Sequence, residues 1–574
     1  MHELIRYKTW LQEPSLDAQT RAELQAIADN PDEIKLRFGS ELAFGTAGLR
    51  GVMRAGTDAM NLYTVGRATQ GLASYILAQG QQAALRGVVI SYDCRNHSEE
   101  FASLAAEILA GNGITVYLFD SMRPTPVLSF AVLQLHCIAG INITASHNPK
   151  EYNGYKVYWE DGAQISGEIA REISEHIANT PFFHGVHHAK EGTASPLIHC
   201  IGSQIDQAYL MQVQKQLICP EIIAAQAQTL RIVYTPLYGT GRLLVPLALQ
   251  QAGITNLQTV PGQCAPNGDF PGVPFPNPEY PQAFEQGICI AEEVGSNLII
   301  ATDPDADRVG VMARGKDGKF ATISGNQMGC LLLDYIIGAL KRTHRLPQGA
   351  YAVKSIVSTA LADRICQTHG VRLFATYTGF KYIAQAIEAE QHAGCDGFLL
   401  GFEESYGYLR GIYAKDKDAV VATLLICEMA AYYQSHGMTL LQALDALYAR
   451  YGYYADGVDN IYMEGADGNE RRKAFMHAIR TTPPQTIGDE KVVQISDYLC
   501  MQTTDLISKT VSSCATEPAD MLRFVTESGN CVIVRPSGTE PKVKLYYQVR
   551  GKDATHANTM IQTISAQMKE MFEI

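Results

Sequence analysis

Three short apolar runs, each opening into a polar loop, constrain this chain more than any other feature. Ile141–Ile143 leads to Thr144–Ala145–Ser146–His147–Asn148–Pro149, and Leu298–Ala301 leads to Thr302–Asp303–Pro304–Asp305–Ala306–Asp307–Arg308. Phe398–Leu400 leads to Gly401–Phe402–Glu403–Glu404–Ser405–Tyr406–Gly407–Tyr408. Short apolar runs bounded by turn residues read as buried strands, and here they alternate with helical stretches, the pattern of an α/β sheet. Open α/β sheets place their ligands at the carboxyl ends of strands, which is where these loops lie. The likeness is one of pattern rather than of letters, a structural repeat.

Around this plan the chain reads in order. Residues 1–40 form one or two helices leading to Phe44–Gly45–Thr46–Ala47–Gly48–Leu49–Arg50–Gly51, a glycine turn without the GxGxxG spacing and with no clear strand before it. It is either a plain turn or a place where Arg50 meets a phosphate. Strand Val88–Tyr92, helix Ser98–Gly111 and strand Ile114–Phe119 follow, then a loop Arg123–Pro124–Thr125–Pro126. The stretch 181–202 is irregular and rich in histidine. Nothing downstream completes a coordination set for His184, His187 or His188, so it reads as a solvated interdomain loop. A second unit opens with strand Ile232–Tyr234, and its Pro261–Pro281 segment reads as a surface loop. A third runs from about Ile323 to Tyr451, with strands near Tyr351–Ile356, Arg372–Thr376 and Gly397–Leu400. The last, from about Asp456, ends in strands Cys531–Val534 and Lys542–Val549 and an amphipathic helix Ala554–Phe572.

Composition narrows the function. The 574 residues are 46% hydrophobic and 18% charged, the balance of a soluble globular protein. A net charge of −13 with no long basic run argues against nucleic acid or an anionic membrane as main partner. An anionic small substrate would need arginines and lysines gathered locally in a cleft. The amino terminus has no apolar segment of signal-peptide length. The longest apolar windows, near Gly329–Leu340 and Val420–Tyr433, are broken by Asp334 and Glu428 and fall short of the ~20 residues of a membrane span. Thirteen scattered cysteines without a CxxC pair read as reduced thiols in a cytoplasmic protein.

The loops carry the chemistry. Asp303, Asp305 and Asp307, at every second position on a chain stiffened by Pro304, can converge on one hard divalent cation. An EF-hand is rejected because Arg308 and Arg314 stand where it needs glycine and glutamate. Three carboxylates and an open position suit magnesium with a phosphoryl oxygen as the missing ligand, and Arg308 would clamp that phosphoryl group. Taken alone, Ser146 reads first as a helix cap, and the glutamate loop as an exposed acidic turn. Glu403 and Ser405, two apart, can also hydrogen-bond vicinal sugar hydroxyls. Arg535–Pro536–Ser537–Gly538–Thr539–Glu540–Pro541 joins the two C-terminal strands and offers a guanidinium, two hydroxyls and free amides, a phosphate cradle that Lys544 could reach. Lys381, in Thr378–Gly379–Phe380–Lys381, is a further candidate for phosphate or acid–base work.

Together the Thr144–Pro149, Asp303–Arg308, Glu403–Ser405 and Arg535–Thr539 motifs, in that order, resemble the α-D-phosphohexomutase superfamily, over about residues 44–549. Phe44–Gly51 and Gly401–Gly407 are most similar to its long phosphoglucomutase/phosphopentomutase branch, with Phe402 as a departure where many members carry glycine. The resemblance implies an α/β fold of four domains around a central cleft: three similar mixed-sheet domains, 1–205, 206–322 and 323–455, and an α+β domain, 456–574. It implies Ser146 as a phosphoserine and Mg2+ held by that phosphate with Asp303, Asp305 and Asp307. Arg50 and Arg308 would flank the phosphate, with His147, Lys156 and Lys381 as acid–base candidates. Thr378, Gly379, Glu403 and Ser405 would grip the sugar, and Arg535, Ser537, Gly538 and Thr539 the non-reacting phosphate. The expected reaction interconverts α-D-glucose 1-phosphate and glucose 6-phosphate through glucose 1,6-bisphosphate, which also primes the enzyme. A phosphopentomutase, a phosphomannomutase or a metal-dependent sugar phosphatase are the alternatives. The partner is then a small sugar phosphate, and monomer and homodimer both stay open. Kinase readings fail for want of GxxxxGK[ST], HRD or DFG sequences.

Overall fold

The computed structural model describes residues 2–45, 48–189, 195–463, 468–514, 517–537 and 542–571. The strands first read from apolar runs are buried along their whole length: β2 (Val88–Tyr92), β4 (Ala139–Ile143), β9 (Leu298–Thr302) and β12 (Tyr351–Ser355). Strands covered on both faces need continuous rather than alternating apolar residues, which is why these runs were legible.

The first sheet also contains β1 (Gly48–Val52), β3 (Val116–Phe119), β5 (Tyr152–Trp159) and β6 (Ile198–Ile201), in the order β1-β5-β4-β2-β3-β6. The second adds β7 (Ile232–Thr235), β8 (Leu257–Thr259), β10 (Val309–Arg314) and β11 (Phe320–Ile323), ordered β11-β10-β9-β7-β8. In the third, β13 (Arg372–Thr376), β14 (Phe398–Glu403) and β15 (Gly407–Leu409) join β12 as β13-β12-β14-β15.

The repeat is therefore topological. In each sheet three parallel strands (β3, β2, β4; β8, β7, β9; β13, β12, β14) are followed by an antiparallel return strand, β5, β10 or β15. Each polar loop is the reversal between the last parallel strand and its return. The pairs that close the turns are Ile143 with Tyr155, Thr302 with Val309 and Glu403 with Gly407.

The C-terminal part is built on one antiparallel sheet of β16 (Tyr453–Tyr462), β17 (Thr486–Ile487), β18 (Glu490–Asp497), β19 (Gln502–Asp505), β20 (Val511–Ser513), β21 (Leu522–Thr526), β22 (Cys531–Pro536) and β23 (Lys542–Gly551). Its path runs β16-β23-β22-β21-β18-β19-β20, with β17 paired to β18. Helices Gly468–Thr481 and Ala554–Met571 cover it through Phe475, Met476, Ile479, Ile564 and Met568, so this part has its own core. The three α/β units instead share a continuous apolar cluster, running from Val127–Val132 through Tyr209 and Leu244 to Leu331–Leu333 and Val420–Leu425.

Several expectations are corrected. The amino-terminal forty residues hold three helices, His2–Gln12, Ala18–Ala26 and Pro31–Phe38, fastened by Trp10 and Phe38. The glycine turn becomes strand β1 at Gly48, whose φ of +126° and whose approach to Tyr155 leave no room for a Cβ. Of the histidine-rich stretch, residues 190–194 lie outside the described residues; the His187 N–H donates to Gln70, and the stretch is not irregular throughout, since it ends in strand β6. The Pro261–Pro281 segment buries Phe270 and Val273 rather than lying wholly on the surface. Phe402 is fully buried with its ring against Gly329, on the opposite side of its strand from Glu403. No helix among the described residues is long and apolar enough to cross a membrane.

Candidate active site

The Ser146 loop is held in shape from beneath. The Ser146 N–H donates to Thr144 Oγ1 at 2.8 Å, and that hydroxyl donates to Asp93 Oδ2 at 2.6 Å. Arg95, buried with its side chain 3.4 Å from Asp93, donates to the carbonyls of Ser146, Asn148, Pro149 and Tyr152. Ser146 itself sits at φ +52°, a left-handed conformation costly for a residue with a Cβ and maintained only where the surroundings fix it. Its Oγ donates to Asp303 Oδ2 at 2.6 Å and lies 3.2 Å from His147 Nδ1.

Asp303, Asp305 and Asp307 are all buried, with one oxygen of each within 4.8 Å of the others. The loop curls on itself, Asp307 N–H and Arg308 N–H both donating to Asp303 Oδ1. Burial, Asp305 and Asp307 push the Asp303 carboxyl well above the usual range. Burial also raises Asp305, but Lys156, 2.8 Å away, outweighs it and holds that carboxyl well below. Asp307 is raised by burial and by Asp305. Asp305 Oδ1 and Asp307 Oδ1 are buried without a hydrogen-bond partner. Hard anionic oxygens converging in a dry site, two of them orphaned, fit a divalent cation. Magnesium is one such ion.

Cations ring this triad. Lys417 Nζ lies 3.2 Å from Asp307 and 3.0 Å from Asp416, and Lys156 Nζ lies 3.8 Å from Asp307. Arg308 pairs with Glu279 at 3.0 Å through its Nη1, while its Nε, buried without a hydrogen bond, lies 3.8 Å from Asp307 Oδ1. Arg50 donates to Asn148 Oδ1 at 3.1 Å; burial and Arg308 depress its ordinarily very high pKa. Burial, Arg308 and Arg50 push the His147 imidazole well below its ordinary value.

The glutamate loop adjoins the acidic loop directly: Arg308 bridges to Gly407, and Val309 N–H donates to Tyr406 O. Glu403 accepts from Gly379 N–H at 2.6 Å, and burial with the adjacent Glu404 raises its carboxyl to about 7. Thr378 Oγ1 is buried with no partner, and Ser405 is half-buried in the turn. Lys381 lies farther along, 5.2 Å over the Tyr382 ring and under the influence of Glu517. Arg535 lies beside Tyr546 and Tyr382, and Tyr546 also feels Glu404 and Glu403. Arg535 and Lys544 are cross-strand partners and so leave the sheet on one face. Ser537 N–H donates to Lys542 O, and its own carbonyl accepts from Arg472. Gly538 and Thr539 lie outside the described residues.

The structure thus gathers Ser146, His147, Lys156, Arg50, Arg308 and the three aspartates at one point, with Glu403, Gly379, Thr378 and Ser405 beside them. Sequence reasoning missed Arg95, Asp93, Lys417, Asp416 and Glu279. Asp93 and Arg95 directly follow buried strand β2, the same signal that pointed to the other loops. Lys417 lies in Lys415–Asp416–Lys417–Asp418, a run of alternating charge whose sequence carries no sign of burial.

Comparison with known proteins places this architecture. Models of phosphoglucomutase/phosphomannomutase alpha/beta/alpha domains I, II and III and of the C-terminal domain match residues 41–183, 207–316, 324–451 and 489–560. The chain belongs to the phosphoglucomutase/phosphomannomutase family of the α-D-phosphohexomutase superfamily, and it is an enzyme of the phosphotransferase mutase type. It is 37% identical over 517 residues to a phosphoglucomutase of Staphylococcus aureus (strain USA300), covering 89% of this chain and 90% of that one. Its fold is similar to that of a putative phosphomannomutase from Thermus thermophilus, with a TM-score of 0.67 and 23% identity over 92% of this chain and 99% of the other. The open form of pp63/parafusin, a phosphoglucomutase from Paramecium, also gives a TM-score of 0.67, at 18% identity over 91% of this chain and 94% of that one.

Proposed function

We propose that this protein interconverts α-D-glucose 1-phosphate and glucose 6-phosphate, with Ser146 as the carrier of the phosphoryl group and glucose 1,6-bisphosphate as intermediate and primer. The observation that carries the reading is the Ser146 hydroxyl 2.6 Å from Asp303, inside a triad of buried aspartates and a ring of cations. The choice of glucose rests on the Staphylococcus aureus phosphoglucomutases, 37% identical over 89% of the chain.

A phosphoserine carries about −1.5 to −2 charge and would repel an incoming sugar phosphate. Arg50 and Arg308 would offset that charge, and Arg308 Nε, which makes no hydrogen bond and lies 3.8 Å from Asp307, would donate to a phosphoryl oxygen. Asp303, Asp305 and Asp307 would hold Mg2+, which supplies charge neutralisation to the phosphoryl oxygens when bound. Glu403 and Ser405 hold sugar hydroxyls, while Arg535, Ser537, Gly538, Thr539 and Arg472 hold the phosphate at the far end. As the sugar hydroxyl attacks, a base removes its proton and the serine oxygen leaves. When the bisphosphate has turned end for end, Ser146 attacks the other phosphate, the bond from that phosphorus to the sugar oxygen breaks, and the sugar oxygen takes up a proton. His147, whose Nδ1 lies 3.2 Å from Ser146 Oγ, and Asp303, which accepts the serine hydrogen bond, are the groups beside the serine proton as it is lost. Lys156 and Lys381 remain acid–base candidates at the sugar hydroxyl. The four units are proposed to span 1–205, 206–322, 323–455 and 456–574, and residence in the cytoplasm is proposed from the free cysteines.

The test is a coupled assay on glucose, mannose and ribose 1-phosphates with catalytic glucose 1,6-bisphosphate and Mg2+. The highest kcat/KM is expected with glucose 1-phosphate. Preference for another sugar would move the enzyme within its family. Steady release of inorganic phosphate without isomer would replace the mutase reading with a phosphatase.

A further inference from the structure

The Arg123–Pro124–Thr125–Pro126 motif is not used by the reaction described above, yet it reaches the acidic loop. Arg123 is tied down by Asp206 and Asp120 through its guanidinium and by Tyr92 O through its N–H. Thr125, fully buried, opens helix Thr125–Gln134 and touches Asp305 twice. Its N–H donates to Asp305 O at 2.9 Å, and its hydroxyl donates to Asp305 Oδ2 at 3.0 Å.

The direction of the second bond is fixed by chemistry. A threonine hydroxyl has one proton, and an ionised carboxylate only accepts. Asn142 Nδ2 donates into Thr125 Oγ1 at 2.8 Å, so the hydroxyl proton goes to Asp305. Asn142 and Lys156 are directly paired across β4 and β5, so their side chains leave the sheet on one face. Lys156 Nζ reaches the same Asp305 Oδ2 at 2.8 Å. One oxygen of Asp305 is therefore engaged by two donors from the first α/β unit, and the other, Oδ1, is left unpartnered among the aspartates.

We propose that Thr125 is a positioning residue for the metal site, locking Asp305 so that Oδ1 faces the cation, with Asn142 orienting the threonine hydroxyl. The sheet that carries the serine thereby sets the geometry of a metal ligand that belongs to the neighbouring sheet. This rests on the metal reading given under the proposed function. Partners that orient a metal ligand are worth roughly 10–100-fold in metal affinity.

The test measures Mn2+ binding to the full-length protein by electron paramagnetic resonance, without substrate, beside the Mg2+ concentration that half-activates turnover. Thr125→Val, which keeps the shape and removes the hydroxyl, is expected to weaken Mn2+ binding by roughly 10–100-fold. It is expected to raise the half-activating Mg2+ to a similar degree and to leave KM for the sugar phosphate at saturating Mg2+ unchanged. Thr125→Ser is expected to restore both, and Asn142→Ala, which frees the hydroxyl to rotate, to weaken Mn2+ binding in the same direction by less. Should Thr125→Val fail to fold, the Asn142→Ala result decides. Wild-type affinity in a folded Thr125→Val protein, or in Asn142→Ala where it alone folds, overturns the proposal. Failure of the wild-type protein to bind Mn2+ at all would instead overturn the metal reading.

Discussion

Ser146 Oγ donates a 2.6 Å hydrogen bond to Asp303 Oδ2, although the two residues are 157 apart in the chain. The contact joins the turn of one sheet to the turn of the next and makes the hydroxyl part of the acidic site. Ser146→Ala is expected to lower turnover by more than roughly a thousandfold. The protein should also lose any phosphoryl adduct visible by intact mass after incubation with glucose 1,6-bisphosphate. Turnover close to wild type would remove Ser146 from the reaction.

Chelation provides a second check. With Asp305 Oδ1 and Asp307 Oδ1 buried and making no hydrogen bond, removal of divalent ions should abolish activity, and added Mg2+ should restore it. At a hundredfold excess over its dissociation constant, a cation that binds only the folded protein adds about 2.7 kcal/mol of stability. Thermal unfolding should therefore shift upward with Mg2+, and the shift should shrink in Asp305→Asn. A melting curve indifferent to Mg2+ would exclude the site.

Arg95 tests the support beneath the serine loop. Arg95→Met removes donors to four carbonyls and leaves Asp93 buried without its counter-charge. Losing one partner of a buried pair costs about 3–5 kcal/mol, measurable by urea unfolding. Activity should fall as well, because the left-handed turn at Ser146 depends on that scaffold. Unchanged stability would mean that Asp93 and the loop are held by other contacts.

The Glu403 carboxyl gives a pH dependence with a defined sign. Burial and Glu404 raise it to about 7 in the folded protein, against an ordinary 4.5. Between those values the folded chain holds a proton that the unfolded chain has lost. The stability from this group is thus complete below pH 4.5 and is lost as pH rises towards about 7. Binding of sugar hydroxyls gains in the opposite direction, because the ionised carboxylate is the better acceptor. The expected profile is a kcat/KM that climbs with pH and levels off above about 7, with that limb absent in Glu403→Gln. Persistence of the limb in the variant would assign it to another group.

Much of the fold was legible because strands buried on both faces must be continuously apolar. Val88–Tyr92, buried throughout, was read at its observed limits; so was Arg372–Thr376, an edge strand with no fully buried residue, read from the alternation of strand and helix instead. Strand β1 was not, since Gly48–Leu49–Arg50–Gly51–Val52 has the composition of a turn and is extended only by pairing with β5. Return strands such as Gly407–Leu409 are too short to register locally. In the site, residues grouped within one loop could be recognised, as with the aspartates. Lys417 and Glu279 could not, because each acquires its role from a partner in another part of the chain. A lysine amid alternating charges looks exposed until Asp307 and Asp416 close around it.

Because three of these loops each turn the chain between paired strands, the number of residues between their anchors matters as much as their identity. Side chains on a strand alternate between its faces, so adding one residue after Pro149 that shifts the register of β5 would turn Lys156 away from Asp305 and bring Tyr155 or Val157 towards it. A loop of altered chemistry but equal length leaves the neighbouring strands as they are. An enzyme assembled this way can change what its turns recognise without redrawing its sheets, provided that every replacement keeps count.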